Sequence, residues 1–251
     1  DGRGSAPSPF FSALCRERVY TKVWISVVAE SLKKNMRDMV NENRLSLIER
    51  TLERRTRYIT VVLEDIYQPH NASAVFRSCD GFGIQDIHVI ENRNALETIP
   101  EVELGSAQWL SIHSYKGGVN NTRDTLHKLK SQGYRIVATT PHTDDTSLNE
   151  FDLSTGKTAL LFGTEMKGLS KTALSLADEY LRIPMRGFTE SFNISVSVAV
   201  VLHYLRTALE KSDLEWQLTE NEKIPIRYAW VRNSVKNLEI IEKELRKKLK
   251  S

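Results

Sequence analysis

Three short polar segments carry the residues of this chain that are best suited to chemistry. They run from Asn71 to Arg77, from Gly163 to Gly168 and from Ser191 to Ser195. An arginine offers a planar fork of N–H donors that suits a phosphate group, and a glycine lets backbone approach a ligand closely. Each segment lies where an apolar, strand-like run ends or a helix-like run begins. Open α/β sheets bind ligands at such positions, so the three segments are candidates for one site.

Each segment also has an ordinary structural interpretation. Arg77 lies among small and apolar neighbours, which suits a buried ion pair or a side chain whose head reaches solvent. Glu165 lies where we expect the next helix to start, so it could cap that helix at the positive end of its dipole. One of Ser191, Asn193 and Ser195 would suffice as a helix N-cap. Three such residues at alternate positions favour a site over a simple cap.

The elements that must position these segments alternate between strands and helices. The predicted strands are Tyr58–Leu63, Ile84–Ile90, Trp109–Tyr115, Arg135–Thr139, Thr158–Phe162 and Tyr180–Ile183. The predicted helices are Asn43–Leu52, Asn71–Cys79 with Asn71 as its N-cap, Asn121–Lys130, Leu169–Ala177 and Ile194–Leu209. This alternation is typical of βαβ units, and it predicts an α/β fold with a mostly parallel sheet and helices on both faces.

The predicted helix from Ile194 to Leu209 is apolar on nearly every side. A helix of this kind must be buried all round. That burial could come from the rest of the same subunit or from a second subunit, and the residues alone favour the two equally. We expect a homodimer.

Composition changes along the chain suggest four parts. Residues 1–35 begin with a Gly, Ser and Pro-rich stretch and are expected to be a disordered or extraneous leader. An N-terminal helical extension follows over 36–57, then the main α/β domain over 58–211. Residues 212–251 are expected to be a C-terminal helical extension. The basic excess at its end suggests a contact with RNA.

The composition argues against several classes of protein. Two cysteines, Cys15 and Cys79, cannot build a disulfide framework and have no metal-ligand spacing, so we expect a cytoplasmic protein without a metal. No stretch approaches the roughly 18 apolar residues that cross a membrane. The Gly-x-Gly-x-x-Gly fingerprint of dinucleotide sites is missing from the chain.

The three polar segments, in this order, resemble motifs one, two and three of the SpoU-type (TrmH-like) RNA ribose 2′-O-methyltransferases of the SPOUT superfamily. The flanking strings Tyr67–Ala74 and Arg182–Met185 strengthen the resemblance, which covers Asn43 to Lys211. The resemblance implies a C-terminal deep trefoil knot, which is an exception to the rule against knots. It also implies an obligate homodimer and S-adenosyl-L-methionine as the methyl donor.

The resemblance also assigns roles to individual residues. The residues expected at the cofactor are Thr139, Gly163, Ile183, Met185 and Phe192. The residues expected to carry the reaction are Arg77, Asn71, Ser191, Asn193 and Glu165. In a knotted dimer we expect Arg77 to face the cofactor of the other subunit, so that a monomer would be inactive.

The role of Arg77 itself has two interpretations. Family accounts make the equivalent arginine a general base, but a guanidinium is a permanent cation, so binding a phosphate and orienting the hydroxyl is the simpler role. His70 is an alternative base that we rank behind Arg77.

The resemblance suggests a tRNA guanosine 2′-O-methyltransferase that acts on guanosine-18 of the D-loop. The alternatives are an rRNA 2′-O-methyltransferase of the same fold and a catalytically silent RNA-binding protein.

Overall fold

The structure is a computed structural model, and it describes residues 40–93, 105–141 and 145–234. The strands of this part are β1 (Ile59–Glu64), β2 (Asp86–Ile90), β3 (Ser111–Tyr115), β4 (Arg135–Thr139), β5 (Thr146–Ser147), β6 (Thr158–Phe162) and β7 (Glu179–Arg182). The α-helices are α1 (Glu42–Leu52), α2 (Pro69–Gly81), α3 (Asn121–Ser131), α4 (Lys171–Leu176), α5 (Ile194–Glu210) and α6 (Glu220–Ser234).

The strands of the described residues form one sheet in the order β3-β2-β1-β6-β4-β7-β5. Every neighbouring pair is parallel. All residues of the interior strands β1 and β6 are buried, which explains their nearly continuous apolar sequences. The predicted α/β fold is confirmed, with a sheet that is parallel throughout.

Helices cover both faces of this sheet. Val61 and Leu63 of β1 pack into an apolar cluster with residues of α2 and α5. Val62, between them, packs into a second cluster with residues of α3 and α4. Because successive side chains of a strand point to opposite faces, the two clusters lie on opposite sides of the sheet.

The first turn of α2 differs from the prediction. The helix begins at Pro69 with Gln68 as its N-cap, so the expectation that Asn71 is the N-cap is wrong. Proline is favoured at the first helical position, because it lacks an N–H that would have no partner there and its φ already suits a helix. Asn71 therefore lies inside the first turn.

Other elements also differ from the sequence prediction. Trp109 ends a 3₁₀ turn, and β3 starts only at Ser111. Helix α4 begins at Lys171 because the Ser170 side chain accepts a hydrogen bond from the Ala173 N–H and caps the helix. Strand β5 was not predicted, since two residues are too few to show a pattern.

The described residues of this chain do not bury helix α5 on all sides, so the alternative in which one subunit alone buries the helix is not observed. Burial by a second subunit stays a prediction. Val196, Val200 and Tyr204 are 43%, 36% and 39% exposed. They recur every fourth residue and form one stripe along the helix. We call these three residues the α5 stripe.

The chain divides into two compact units, Glu49–Trp230 and a smaller one formed by Asp1–Ile48 with Val231–Ser251. Within the smaller unit, Arg44 Nε donates a hydrogen bond to Ser234 Oγ at 3.3 Å. The expected leader over 1–35 and the basic end of the C-terminal extension lie outside the described residues. The four-part division of the chain stays a prediction. Among the described residues, no helix is long and apolar enough to cross a membrane.

Candidate functional site

The three polar segments meet at the carboxyl ends of the strands through side-chain hydrogen bonds. Asn71 Nδ2 donates to Glu165 Oε1 at 2.9 Å. Asn193 Nδ2 donates to Asn71 Oδ1 at 3.1 Å and also to Glu165 Oε1. We call these three residues the amide junction. One residue from each segment is thus in direct contact with the other two.

Asn193 is oriented by its own helix. Its Oδ1 accepts hydrogen bonds from the Ser195 N–H at 2.8 Å and from Ser195 Oγ at 2.6 Å, which makes Asn193 the N-cap of α5. With the oxygen used in this way, the Nδ2 group is directed toward Asn71 and Glu165. The expected cap is present, and the same side chain also builds the junction.

Glu165 does not cap a helix. It lies in a loop that is closed by two backbone hydrogen bonds between Thr164 and Gly168, at 3.1 and 2.8 Å. Gly168 has a positive φ of 63°. A Cβ on Gly163 would lie 2.2 Å from the carbonyl carbon of Gly168, so only glycine fits at position 163. The loop presents the Glu165 carboxylate to the junction.

Two residues that the sequence analysis did not single out support the site. Gln68 Oε1 accepts a hydrogen bond from Asn71 Nδ2 at 2.7 Å. Pro69 at the start of α2 was the available signal, because it places Gln68 at the cap, three residues before Asn71.

The second supporting residue is Glu64, which is 2% exposed at the end of β1. Its carboxylate accepts hydrogen bonds from Ser170 N–H at 2.8 Å, Ser170 Oγ at 2.7 Å and Thr122 Oγ1 at 2.5 Å. Ser170 follows the 164–168 loop, so Glu64 fastens the end of that loop to the central strand. Nothing in the sequence around Glu64 indicates this long-range contact.

The residues expected at the cofactor lie at the ends of adjacent strands. Thr139, Gly163 and Ile183 end or follow β4, β6 and β7, which are neighbours in the sheet. Thr139 Oγ1 donates to the Leu161 carbonyl at 2.6 Å and is half-buried. Met185 is half-buried, and Phe192 is 42% exposed. The structure thus places three of the five residues side by side.

The segment Pro184–Phe192 is the part of this edge that could receive a ligand. Within the described part of the chain, its backbone and side chains make no hydrogen bonds. A run of peptide groups without protein partners, next to half-buried apolar residues, fits a ligand that is held mainly by backbone. These residues therefore fit the expected cofactor.

Arg77 and Ser191 do not take part in the junction. The Arg77 side chain is exposed on α2 and makes no hydrogen bond or ion pair with the described residues. The alternative of a buried ion pair at Arg77 is thereby wrong. Ser191 is also exposed. Both side chains are accessible to a substrate.

A match to a protein-family profile shows to which family this chain belongs. The profile of the SpoU rRNA Methylase family matches residues 58–203, which include all three polar segments and the amide junction. The chain belongs to the SpoU methylase family. The resemblance to the SpoU-type methyltransferases that the three motifs suggested is thereby confirmed.

Relatives agree with this membership. The tRNA (guanosine(18)-2′-O)-methyltransferase of Borreliella burgdorferi is 43% identical over 203 residues, which are 81% of this chain and 91% of that protein. The TrmH/SpoU tRNA modifying enzyme of A. aeolicus has a TM-score of 0.67 at 27% identity, with 78% of this chain and 98% of that chain covered. The methyltransferase AviRb of Streptomyces viridochromogenes, solved with AdoMet, shares the fold: its TM-score is 0.54 at 23% identity, with 65% and 62% covered.

A second polar cluster of this SpoU-family protein lies on β2 and β3. The His88 ring stacks on the His113 ring at a centroid distance of 4.8 Å, and His88 Nδ1 lies 2.9 Å from Tyr115 Oη. Burial lowers the pKa of His88 to about 3, and His113 and Lys128 act in the same direction. No group of three or more metal-binding side chains occurs among the described residues.

Proposed function

We infer that this protein transfers a methyl group from S-adenosyl-L-methionine to the ribose 2′-hydroxyl of a guanosine in tRNA, at guanosine-18 of the D-loop. The observation that carries the inference is the amide junction, because it joins the three family motifs into one site at the carboxyl edge of the sheet. The relative that is 43% identical, and is named for this reaction, supports the choice of substrate.

The cofactor lies against the loops that follow β4, β6 and β7. When bound, S-adenosyl-L-methionine supplies a methyl group on a positively charged sulfur, which is an excellent leaving group. Thr139, Gly163 and Ile183 hold it at the strand ends, with Met185 and Phe192 on the Pro184–Phe192 segment. The peptide groups of that segment, which have no partners in the described part of the chain, provide the hydrogen bonds.

Arg77 binds the RNA phosphate beside the target ribose and orients the 2′-hydroxyl. Its guanidinium is exposed and has no partner among the described residues, so no competing contact within this chain must be broken first. Ser191 lies within the cofactor segment, is exposed and can accept a hydrogen bond from the substrate. Asn71, Asn193 and Glu165 hold these parts in one geometry, which is the main requirement when the leaving group is already good.

A homodimer completes the site. The α5 stripe exposes three large apolar side chains on a helix that is otherwise packed in the core, and a second copy of this stripe would cover them. We further infer the deep trefoil knot of the family at the loops after β6 and β7. In this dimer Arg77 faces the cofactor of the partner subunit.

The dimer is tested with Val200→Asp, which places a charge in the middle of the α5 stripe. The expected result is a monomer in analytical ultracentrifugation with no methyl transfer. Ser175→Asp adds the same charge on α4, on the other side of the sheet, and should leave the dimer intact. An active Val200→Asp monomer would contradict the shared site.

We also propose that the C-terminal extension over 212–251 adds RNA contacts and that the reaction takes place in the cytoplasm, which accords with a tRNA substrate. The leader over 1–35 has no assigned role. The family description names rRNA, which keeps an rRNA 2′-O-methyltransferase as the alternative.

The substrate is tested directly by incubating the purified protein and S-adenosyl-L-methionine with a tRNA transcript. Ribose-methylation mapping should show one modified nucleotide, guanosine-18. A transcript with 2′-deoxyguanosine at this position should accept no methyl group. Methylation of an rRNA transcript alone would replace the tRNA assignment by the alternative, and no transfer to either RNA would favour a silent RNA-binding protein.

A further inference from the structure

Tyr67 is an exposed aromatic residue directly beside the amide junction. It is 51% exposed, in the loop between β1 and α2. Within the described residues its ring makes no ring-stacking or cation–π contact. The side chain contributes nothing to the apolar core, and such an exposed ring at a site is available to a ligand.

Tyr67 nevertheless contacts a residue that supports the site. Gln68 Nε2 donates a hydrogen bond to Tyr67 Oη at 3.5 Å, and Gln68 Oε1 accepts one from Asn71 Nδ2 at 2.7 Å. The phenol is therefore linked through a single glutamine to the residues that join the three motifs. Phe188 is more exposed, at 107%, but lies in the segment without hydrogen bonds, so its ring is not held in this way.

Two permanent cations are exposed on the segments that flank the junction. The side chains of Arg77 and Lys167 are both exposed, as is the carboxylate of Glu165 in the junction itself. Arg77 and Lys167 make no side-chain ion pair with any described residue. Cations next to an exposed aromatic ring form the arrangement with which proteins bind single-stranded nucleic acid, because phosphates meet the cations and a base stacks on the ring.

We propose that Tyr67 is the stacking surface for an unpaired nucleobase of the substrate RNA, and that Gln68 links this surface to the amide junction. The proposal rests on the proposed function and adds a residue that selects for an accessible, unstacked nucleotide. A base that is paired inside a helix cannot reach the ring, so Tyr67 restricts the reaction to loops.

The experiment uses full-length protein and a tRNA transcript that carries 2-aminopurine in place of the target guanine. In the wild-type protein, stacking on Tyr67 should quench the 2-aminopurine fluorescence on binding. Tyr67→Leu should abolish the quenching and raise the KM for unlabelled tRNA about tenfold or more. The Kd for S-adenosyl-L-methionine should stay the same. Tyr67→Phe keeps the ring and should retain most of the affinity.

Phe188→Leu is the matched control, since it removes an exposed ring that no hydrogen bond holds. It should raise the KM for tRNA less than Tyr67→Leu does, and an equal rise would overturn the assignment to Tyr67. Tyr67→Ser removes the ring in a second way and must show the same loss as Tyr67→Leu. Either variant with wild-type KM and quenching would also overturn the proposal. If the wild-type protein methylates no tRNA, the proposed function fails instead.

Discussion

Arg55 and Arg77 show two opposite uses of the same side chain. Arg55 is 1% exposed, donates to Asp80 and to the Ile84 carbonyl, and has its guanidinium 4.9 Å from the centre of the Trp230 ring. Arg77, on the outer side of α2, is exposed and has no such partner in the described residues. The first region uses the cation to hold elements together, whereas the second leaves it exposed.

The local sequence suggests the reverse assignment. Arg77 is surrounded by apolar and small residues, whereas Arg55 lies in the charged run Glu53–Arg57. The difference arises from partners that are distant in the chain, such as Asp80 and Trp230. A second buried arginine, Arg206, resembles Arg55 in that its guanidinium also lies over a tryptophan ring, 3.9 Å from the centre of Trp216. The comparison teaches that partners distant in the chain, and not the neighbours in sequence, decide whether an arginine is buried as a structural cation.

The largest expected effect is that of Arg77→Ala. We expect methyl transfer to fall about a hundredfold or more, because the substrate loses the contact that aligns it. Cofactor Kd and the thermal midpoint should not change, since Arg77 supports no other described residue. Single-turnover assays with labelled S-adenosyl-L-methionine measure the loss. Arg123→Ala, an exposed arginine on α3, is the control; a near-normal rate for Arg77→Ala would refute the comparison.

Arg55→Met should give the opposite result. Removing the buried cation leaves Asp80 and the Ile84 carbonyl without their donor, and we expect the free energy of unfolding to fall by about 3 kcal/mol. The rate of methyl transfer per folded molecule should stay near normal. Urea unfolding followed by tryptophan fluorescence measures the stability. An unchanged midpoint would mean that Arg55 does not hold the region together.

The comparison between buried and exposed side chains extends to His88. We expect its protonation to lower the free energy of unfolding by about 2 kcal/mol between pH 7 and pH 5. Burial holds the pKa of His88 near 3, so the folded state keeps the ring neutral while the unfolded state takes up a proton below pH 6.5. The histidine therefore opposes folding as the pH falls from 6.5 toward 3. Arg57 and His113 lower the pKa of Asp86 against its burial, and that contribution is lost only below about pH 4.

Thermal unfolding at pH 7 and pH 5 measures the His88 contribution. The wild-type midpoint should fall more than that of His88→Gln, in which position 88 carries no titratable group while the other histidines are unchanged. Equal falls in the two proteins would exclude His88 as the source of the acid sensitivity.

Arg206→Lys has the smallest expected effect: the free energy of unfolding should fall by about 1 kcal/mol. The charge is kept, but an ammonium cannot reproduce the guanidinium contacts with the Phe82 and Arg54 carbonyls, both at 3.1 Å. Urea unfolding should show this modest loss with unchanged activity. A loss as large as that of Arg55→Met would show that the planar fork matters more than the charge.

The sequence predicts the parts of this molecule that depend on local pattern. Strands β4 and β6 were predicted with their observed bounds, because their apolar residues are continuous and turn residues flank them. Convergence of Asn71, Glu165 and Asn193 follows from strand ends that share one edge of a parallel sheet. The roles of Gln68 and Glu64 could not be predicted, since each depends on a hydrogen bond across the fold. Whether the same subunit or a second one covers α5 could not be predicted, because an apolar sequence does not reveal which chain packs against it.

The side chain of Asn193 couples the three polar segments energetically. Its oxygen starts α5 and its nitrogen bonds to both other segments, so Asn71→Ala and Asn193→Ala both remove the bond that joins these two residues. The losses of cofactor affinity in the two variants should therefore not add in the double variant. Titration calorimetry on the four proteins of this cycle measures the coupling free energy. Purely additive losses would mean that the segments, although in contact, act independently.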